Sequence, residues 1–321
     1  MVMGTRMISL GYRLAGLSLL AALSLSSLTA HAAEITLRIA DQKGNMRAQL
    51  EAANKLQNLP YKIEWSEFPA AAPLAEALNA QAVDIGVIGD APLLFAEAAG
   101  AQVKAIAVDK SDAYGTALIV RADSPIHSAA DLKGKSIATN KGSIGHFVAL
   151  KALASAGLTA KDVTFRFLQP SDAKLALVQG SVDVWATWEP YTAFAETQDS
   201  LKVAVNGRGL WSGNSFIAAT DRALNDKQKR AAIADYVQRL AEAQVWAHQH
   251  LDTYSQTLSK IIGFPPEAAR LSYGRSNARW QSLDDKTIAQ QQQTADFYQQ
   301  AGLLPVRVDV KGTFDRSFII Q

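Results

Sequence analysis

The segment Lys141-Gly142-Ser143 combines backbone and side-chain groups that are suited to holding an anion. It follows a predicted strand and begins a predicted helix, where backbone N–H groups have no acceptor within the helix and the helix dipole favours negative charge. Gly142 allows a ligand to approach the backbone closely, and Ser143 adds a hydroxyl group. The alternative is an ordinary serine cap. The segment lacks the Gly-Lys-Ser/Thr ending of a phosphate-binding loop, which argues against a nucleotide.

A second helix start, Gly89-Asp90-Ala91-Pro92, has the same relation to a preceding strand. Asp90 is predicted to cap this helix with its carboxylate, which leaves the backbone at Gly89 and Asp90 to meet the anion. Gln42, at the end of the first predicted strand, can add a neutral amide donor. The alternative for Gln42 is a solvated turn residue.

Aromatic residues near the end of a strand in the second half predict the wall of an apolar pocket. Trp188 and Glu189 directly follow that strand, and the three-residue spacing of Trp185 and Trp188 predicts that they face opposite sides, with Trp188 toward the pocket. Phe216, with Asn214 beside it, is a second candidate for the wall.

The residues that usually perform catalysis form no convincing constellation in this sequence. His146, one turn into the helix after Ser143, is the one histidine near a candidate site. The chain has no cysteine and no Gly-x-Ser-x-Gly elbow. We therefore predict no catalytic residue, no metal site and no cofactor, although pairs of carboxylates that meet only in the folded chain are invisible at this stage.

An internal similarity connects these segments to the elements that must position them. Residues 77–88 resemble residues 176–187, and each copy reads as a helix end, a turn and a Val-Asp-Val/Ile strand. Each strand leads directly into one of the candidate ligand segments. Because ligands of open α/β sheets lie beyond the carboxyl ends of the strands, the similarity predicts two α/β lobes with a ligand cleft between them. The alternative is a chance likeness between two helix-turn-strand units.

Strands and helices alternate along most of the chain, which predicts two parallel-rich sheets. We expect lobe 1 to comprise residues 33–119 and 217–321 and lobe 2 residues 120–216, joined by two crossover strands. Residues 122–125 are the predicted crossing point into lobe 2, and the helical segment from Asn225 onward is expected to pack around lobe 1.

The first 32 residues are predicted to be a secretory signal peptide. Arg6 and Arg13 precede or flank an apolar stretch at 14–25, and Ala30-His31-Ala32 is a cleavage signal. The alternative is a membrane-anchoring helix. The formal net charge of +2 includes no basic run that would indicate a nucleic acid or a membrane surface.

The order and spacing of several segments resemble the sulfonate, taurine and nitrate group of periplasmic substrate-binding proteins of ABC importers, and most closely the aliphatic sulfonate-binding branch. The segments are Gln42-Lys43-Gly44, Val83-Asp84-Ile85-Gly86 with Gly89-Asp90-Ala91-Pro92, Asp131-Leu132-Lys133-Gly134-Lys135, Lys141-Gly142-Ser143 with His146, Gln179-Gly180-Ser181-Val182-Asp183, and Trp188-Glu189-Pro190-Tyr191. Residues 70–73 and 109–115 depart from the pattern, which leaves the pocket for the ligand tail open.

The resemblance implies a periplasmic binding-protein fold with two crossover strands. It implies a periplasmic monomer that captures an alkanesulfonate-like anion and delivers it to an inner-membrane permease with its ATPase. It assigns the anion to Gln42, Gly89, Asp90, Gly142, Ser143 and His146, with Trp188 and Glu189 as contacts from lobe 2. Alternative ligands are taurine, a sulfate ester or nitrate. An alternative function is a same-fold enzyme of the desulfinase or thiamine-pyrimidine type, against which the absence of cysteine and the export signal argue.

Overall fold

A computed structural model describes residues 35–304 and 306–321, so the predicted signal peptide lies outside the described residues. The strands are β1 Thr36–Gln42, β2 Lys62–Phe68, β3 Ile85–Gly89, β4 Val103–Lys110, β5 Ala117–Arg121, β6 Ser136–Thr139, β7 Thr164–Phe167, β8 Val184–Thr187, β9 Leu201–Asn206, β10 Asn214–Thr220 and β11 Arg279–Gln281. The helices are α1 Asn45–Ala52, α2 Ala71–Asn79, α3 Asp90–Ala98, α4 Ile144–Ser155, α5 Pro170–Val178, α6 Tyr191–Gln198, α7 Asp221–Asn225, α8 Lys227–Gln249, α9 Leu251–Ile262, α10 Pro266–Ser276 and α11 Asp285–Gln300.

The strands form two separate sheets, which confirms the predicted architecture of two α/β lobes. The first lobe is built on a six-stranded sheet with the order β11-β4-β10-β3-β1-β2, and the second on a five-stranded sheet with the order β7-β6-β8-β5-β9. In each sheet three neighbouring strands are parallel, β2-β1-β3 and β7-β6-β8. The strands that follow them, β10 and β5, are antiparallel to β3 and β8.

The internal sequence similarity corresponds to equivalent elements in the two sheets. Asp84 lies just before β3, and its carboxylate accepts the backbone N–H of Arg38 in β1 at 2.9 Å. Asp183 lies just before β8, and its carboxylate accepts the backbone N–H of Ser136 in β6 at 2.8 Å. Each aspartate thus links the start of its own strand, β3 or β8, to the neighbouring parallel strand, β1 or β6, by a hydrogen bond. The carboxyl ends of β3 and β8 are therefore equivalent positions, as the similarity predicts.

The chain crosses between the sheets twice, in residues 111–116 and again in residues 207–213. The predicted crossing point at 122–125 is wrong, because β5 already pairs with β8 and β9 of the second sheet. The predicted lobe bounds at 119/120 and 216/217 fall inside β5 and β10. β5 follows β4 after a short connection, and β10 follows β9 in the same way. In such cases the local sequence does not indicate whether the second strand joins the same sheet or the other one.

The helical C-terminal region packs on both lobes, whereas the sequence predicted packing around the first lobe alone. Helix α8 covers the six-stranded sheet, with Tyr236 and Leu240 buried in the same cluster as Ile39 and Ile217. Helix α11 instead joins the core of the second lobe. None of the helices in the described part of the chain has the length and apolar character needed to cross a membrane.

Candidate functional site

A cavity of about 180 Å³ lies between the two lobes at the carboxyl ends of their strands. Five of the residues predicted for the site line it, and they come from both lobes: Gln42, Gly89, Ser143, Trp188 and Glu189. Gln42 and Gly89 end β1 and β3, Ser143 follows β6, and Trp188 and Glu189 follow β8. Of these four strand ends, the internal similarity makes those of β3 and β8 equivalent. The structure therefore brings together segments that are separated by up to about half the chain.

Three other predicted residues are buried beside the cavity and do not line it. Phe216 is in the core of the first lobe, and the Asn214 side chain donates to a side chain of α11 at 3.0 Å. Asp90 is the first residue of α3 rather than its cap. Its carboxylate accepts the N–H of Ala91 at 2.6 Å and the hydroxyl of Ser212 at 3.1 Å. Burial raises the pKa of Asp90 to about 6.

Gly142 and His146 form a support for the helix start rather than part of the cavity wall. The N–H of Gly142 donates to Nδ1 of His146 at 3.2 Å, so this backbone group is already used within the protein. The buried His146 ring lies edge-on against Phe165 and Phe167, with centroids 5.0 and 5.3 Å away. Burial lowers the pKa of His146 to about 4, which keeps the ring neutral. His146 therefore brings no positive charge to the site.

Three of the four helix starts around the cavity already hold carboxylates. At α1, Asp41 accepts two backbone N–H groups at 3.2 and 2.9 Å, and Glu67 accepts a third at 3.0 Å. At α3, Asp90 accepts the N–H of the next residue. At α6, Glu189 accepts a backbone N–H at 3.0 Å. Since a carboxylate occupies the donors that an external anion needs, these three helix starts are poor anion sites.

The start of α4 is different because no carboxylate of residues 35–304 or 306–321 accepts its N–H groups. Ser143 caps the helix by accepting the N–H of His146 at 3.1 Å, and its hydroxyl has one further, long contact with Oγ1 of Thr139 at 3.5 Å among the described residues. The N–H groups of Ile144 and Gly145 have no acceptor among the described residues. The buried Nε1 of Trp188 likewise has no hydrogen-bond partner in the part of the chain that the structure describes. Ser143, Ile144 and Trp188 line the lobe-2 side of the cavity, and Gly145 lies directly behind them, so this side carries neutral donors.

The two basic side chains in the cavity wall are already engaged. Arg275 of α10 donates to Glu189 at 2.7 Å. Lys43 lies 5.4 Å from the ring centroids of both Tyr191 and Phe264. Burial raises the pKa of Glu189, and the charge of Arg275 opposes this shift. Among the described residues around the cavity, the start of α4 therefore retains backbone donors that no side chain of the protein occupies.

Sequence reasoning missed the side of the cavity that is formed by the C-terminal helices. Tyr254 of α9 and Tyr273 of α10 line it together with Asp109 at the end of β4. One sequence feature points to this side of the cavity, the departure of residues 109–115 from the family pattern. This segment supplies Asp109, Ser111, Asp112 and Gly115 to the wall. The tyrosines lie far along the chain in amphipathic helices, where they read as ordinary core residues.

The described residues contain no group of three or more His, Asp or Glu side chains arranged to hold a metal ion.

Two α/β lobes that enclose a cavity at the carboxyl ends of their strands are the architecture of periplasmic solute-binding proteins. The chain belongs to the family described as ABC transporter, phosphonate, periplasmic substrate-binding protein, which it matches over residues 56–258.

Similar proteins cover most of the chain. A putative aliphatic sulfonates-binding protein of Escherichia coli K12 is 34% identical over 297 residues, which is 91% of this chain and 92% of that protein. One of the same name from Bacillus subtilis 168 is 31% identical over 80% of this chain and 77% of that protein. The solved alkanesulfonate-binding protein SsuA from Xanthomonas axonopodis pv. citri, bound to MOPS, is 33% identical with a TM-score of 0.82, covering 89% of this chain and 100% of that one.

Proposed function

We propose that this protein captures an aliphatic sulfonate in the cavity between its lobes and delivers it to the membrane permease of an ABC importer. The observation that carries the proposal is the start of α4, where the N–H groups of Ile144 and Gly145 and the Nε1 of Trp188 have no acceptor in the described part of the chain. The sulfonate head is held there with Ser143, and Gln42 adds its amide from the first lobe. The names of the relatives support this choice of ligand.

The charge of the surroundings favours a sulfonate over the phosphonate that the family description names. A sulfonate carries one negative charge, whereas a phosphonate carries a second charge or a proton that needs its own acceptor. Asp90 and Glu189 lie at neighbouring helix starts, so a second negative charge in this cavity would be repelled by their carboxylates. Neutral donors and a helix dipole suffice for a single charge, and they avoid the cost of burying another cation.

Several finer properties belong to the same proposal. The protein is exported by the signal peptide in residues 1–32 and acts as a monomer in the periplasm. It is a binding protein rather than an enzyme, since none of the described residues that line the cavity is a histidine that could activate a nucleophile and the chain has no cysteine. Taurine, sulfate esters and nitrate are the competing ligands.

The experiment is a ligand panel followed by one substitution. Butane-1-sulfonate should raise the melting temperature and bind in calorimetry, whereas butylphosphonate and nitrate should bind at least about tenfold more weakly. Trp188→Phe removes the unpaired N–H but keeps an aromatic ring. It should weaken sulfonate binding about tenfold, because a hydrogen bond to a charged group contributes about 1.5–3 kcal/mol.

A matched control is Trp280→Phe, since Nε1 of Trp280 is also buried without a partner among the described residues but lies outside the cavity wall. This variant should keep the affinity of the unmodified protein. Equal affinity for the sulfonate and the phosphonate, or equal loss in the two tryptophan variants, would show that the head group is held elsewhere.

A further inference from the structure

A second, larger cavity adjoins the inter-lobe cavity at Lys43. Its volume is about 710 Å³, against about 180 Å³ for the inter-lobe cavity. Among the described residues, Lys43 alone lines both. Ligand cavities in proteins mostly measure about 300–1,000 Å³, so the inter-lobe cavity by itself has room for a head group with a short tail. Ala72 and Pro73, from the segment that departs from the family pattern, line the second cavity.

A row of aromatic rings connects the two cavities. Trp188, whose Nε1 belongs to the proposed head-group site, has its ring centroid 5.8 Å from that of Tyr191. Tyr191 lies 5.9 Å from Phe264, and Phe264 lies 4.6 Å from Phe194. Trp188 lines the inter-lobe cavity, and the other three rings line the second one. An alkyl chain that extends past Trp188 therefore meets apolar surface as far as the second cavity.

The side chain of Lys43 lies over this row of rings. Its Nζ is 5.4 Å from the ring centroids of both Tyr191 and Phe264. The backbone is fixed to β2, because the N–H of Lys43 donates to the carbonyl of Phe68 at 3.3 Å. The ammonium group has no hydrogen bond or ion pair with any residue that the structure describes. Contacts between a cation and aromatic faces are weak, so a ligand can displace the side chain from the rings.

The other charged residues of the second cavity do not favour an anionic head group. Glu76 and Asp172 are exposed carboxylates with no ion-pair partner in the described part of the chain. Lys174 is already paired with Asp199 at 3.2 Å. The head of a ligand therefore gains nothing by leaving the start of α4, whereas an uncharged tail gains apolar contacts in the second cavity.

We propose that Lys43 determines the tail length that the protein favours. While it lies over Tyr191 and Phe264, it closes the inter-lobe cavity and limits the ligand to a short tail. A longer alkyl tail enters the second cavity only by displacing the lysine. This inference rests on the proposed sulfonate function and adds to it a residue that controls specificity.

The test compares ethane-1-sulfonate with octane-1-sulfonate, two ligands that share the head group and differ only in the length of the tail. Calorimetry gives the ratio of their affinities. In Lys43→Ala the ratio should shift toward octane-1-sulfonate by about fivefold or more, because the long tail no longer has to displace a lysine from two rings. Lys151→Ala is the matched control. It removes a half-buried lysine that lies 4.7 Å from the ring centroid of Phe297, outside both cavities, and should keep the ratio.

A further substitution locates the tail. Phe194 lines the second cavity and not the inter-lobe cavity. Adding Phe194→Ala to Lys43→Ala should weaken the binding of octane-1-sulfonate about fivefold, because the tail loses an aromatic contact surface, and should affect ethane-1-sulfonate little. Unchanged binding of octane-1-sulfonate in the double variant would show that the tail lies elsewhere, and the inference would fail.

The ratio also separates this role from the others that Lys43 could have. An unchanged ratio in Lys43→Ala overturns the inference, whether both ligands bind as before or both weaken because the lysine holds the head group. Two molecules of octane-1-sulfonate bound per protein would also overturn it, since the second cavity would then be a separate site. If neither sulfonate binds to the unmodified protein, the proposed function itself fails.

Discussion

His146 shows how a residue that looks like a ligand can serve the backbone instead. A histidine at the start of a helix beside an anion site suggests a positive charge, yet this ring is buried and accepts a hydrogen bond from Gly142. An acceptor at Nδ1 requires the neutral tautomer with its proton on Nε2. The side chain thereby holds the loop before α4 in place and adds no charge to the site.

The pH dependence of stability should reveal this role. The folded pKa of His146 is lowered to about 4 from an ordinary value of 6.5, so the folded state disfavours the proton that the unfolded state takes up. The contribution of His146 to stability is therefore constant above pH 6.5 and falls as the pH drops toward 4, by up to about 3 kcal/mol. His146→Gln keeps an acceptor but cannot titrate, so urea unfolding should show a flatter acid limb for this variant.

The control for this prediction is His127→Gln, a change in an exposed loop of the second lobe. It should leave the acid limb of the unfolding curve unchanged. Parallel acid limbs for His146→Gln and the unmodified protein would mean that another group controls the loss of stability.

At the scale of elements, the sequence predicted where the helix starts lie but not which of them is open to an anion. The strand-turn-helix pattern is local, so α3 and α4 begin at or directly after the segments predicted to start them, whereas α6 was not predicted. Whether a carboxylate already accepts the N–H groups at a helix start depends on side chains that come from other strands. Glu67 of β2, for example, reaches the start of α1, and no local pattern indicates this contact.

Glycine at position 89 permits a close approach between β3 of the first lobe and α4 of the second. A Cβ atom placed on Gly89 would lie 2.6 Å from Cγ2 of Ile144, the first residue of α4. Gly89→Ala should therefore prevent β3 and α4 from meeting around a ligand and weaken sulfonate binding about tenfold, at a cost of about 1–2 kcal/mol for the forced shift. The measurement is calorimetry with butane-1-sulfonate.

The second substitution in this test removes the obstacle. Ile144→Ala deletes Cγ2, so the double variant should recover most of the affinity that Gly89→Ala loses, a non-additivity typical of residues in direct contact. Simple addition of the two losses would show that Gly89 acts through something other than this contact.

At the scale of the whole molecule, contacts outside the cavity also join the lobes. Tyr298 of α11 packs between Phe95 of the first lobe and Phe147 of the second, with ring centroids 5.0 and 5.3 Å away. Such contacts could not be predicted, because the sequence pattern shows that α11 is amphipathic but not which two surfaces it joins. The two-sheet architecture could be predicted because its repeated strand ends are visible in the chain.

A cluster of charged groups forms a second link between the lobes. Arg275 of α10 contacts both Glu189 and Glu196, at 2.6 and 2.7 Å, and all three side chains are mostly buried. Because Glu189 and Glu196 belong to the second lobe and α10 leads into β11 of the first sheet, this cluster holds the lobes together on one side of the cavity. We expect it to slow the opening that releases a ligand.

Glu196→Gln tests this expectation without touching the cavity wall, to which Arg275 and Glu189 contribute but Glu196 does not. The variant weakens the contact between Arg275 and Glu196. Stopped-flow displacement should therefore show a sulfonate dissociating several-fold faster, with little change in its association rate. Arg275→Met should have a larger effect, and adding Glu196→Gln to it should change the rate little further, since the two residues act through one contact.

Arg270→Met, an exposed change on the same helix, should leave the rate as it is. Independent effects of the Arg275 and Glu196 substitutions would indicate that Arg275 acts on the ligand directly, and the cluster would then not control opening.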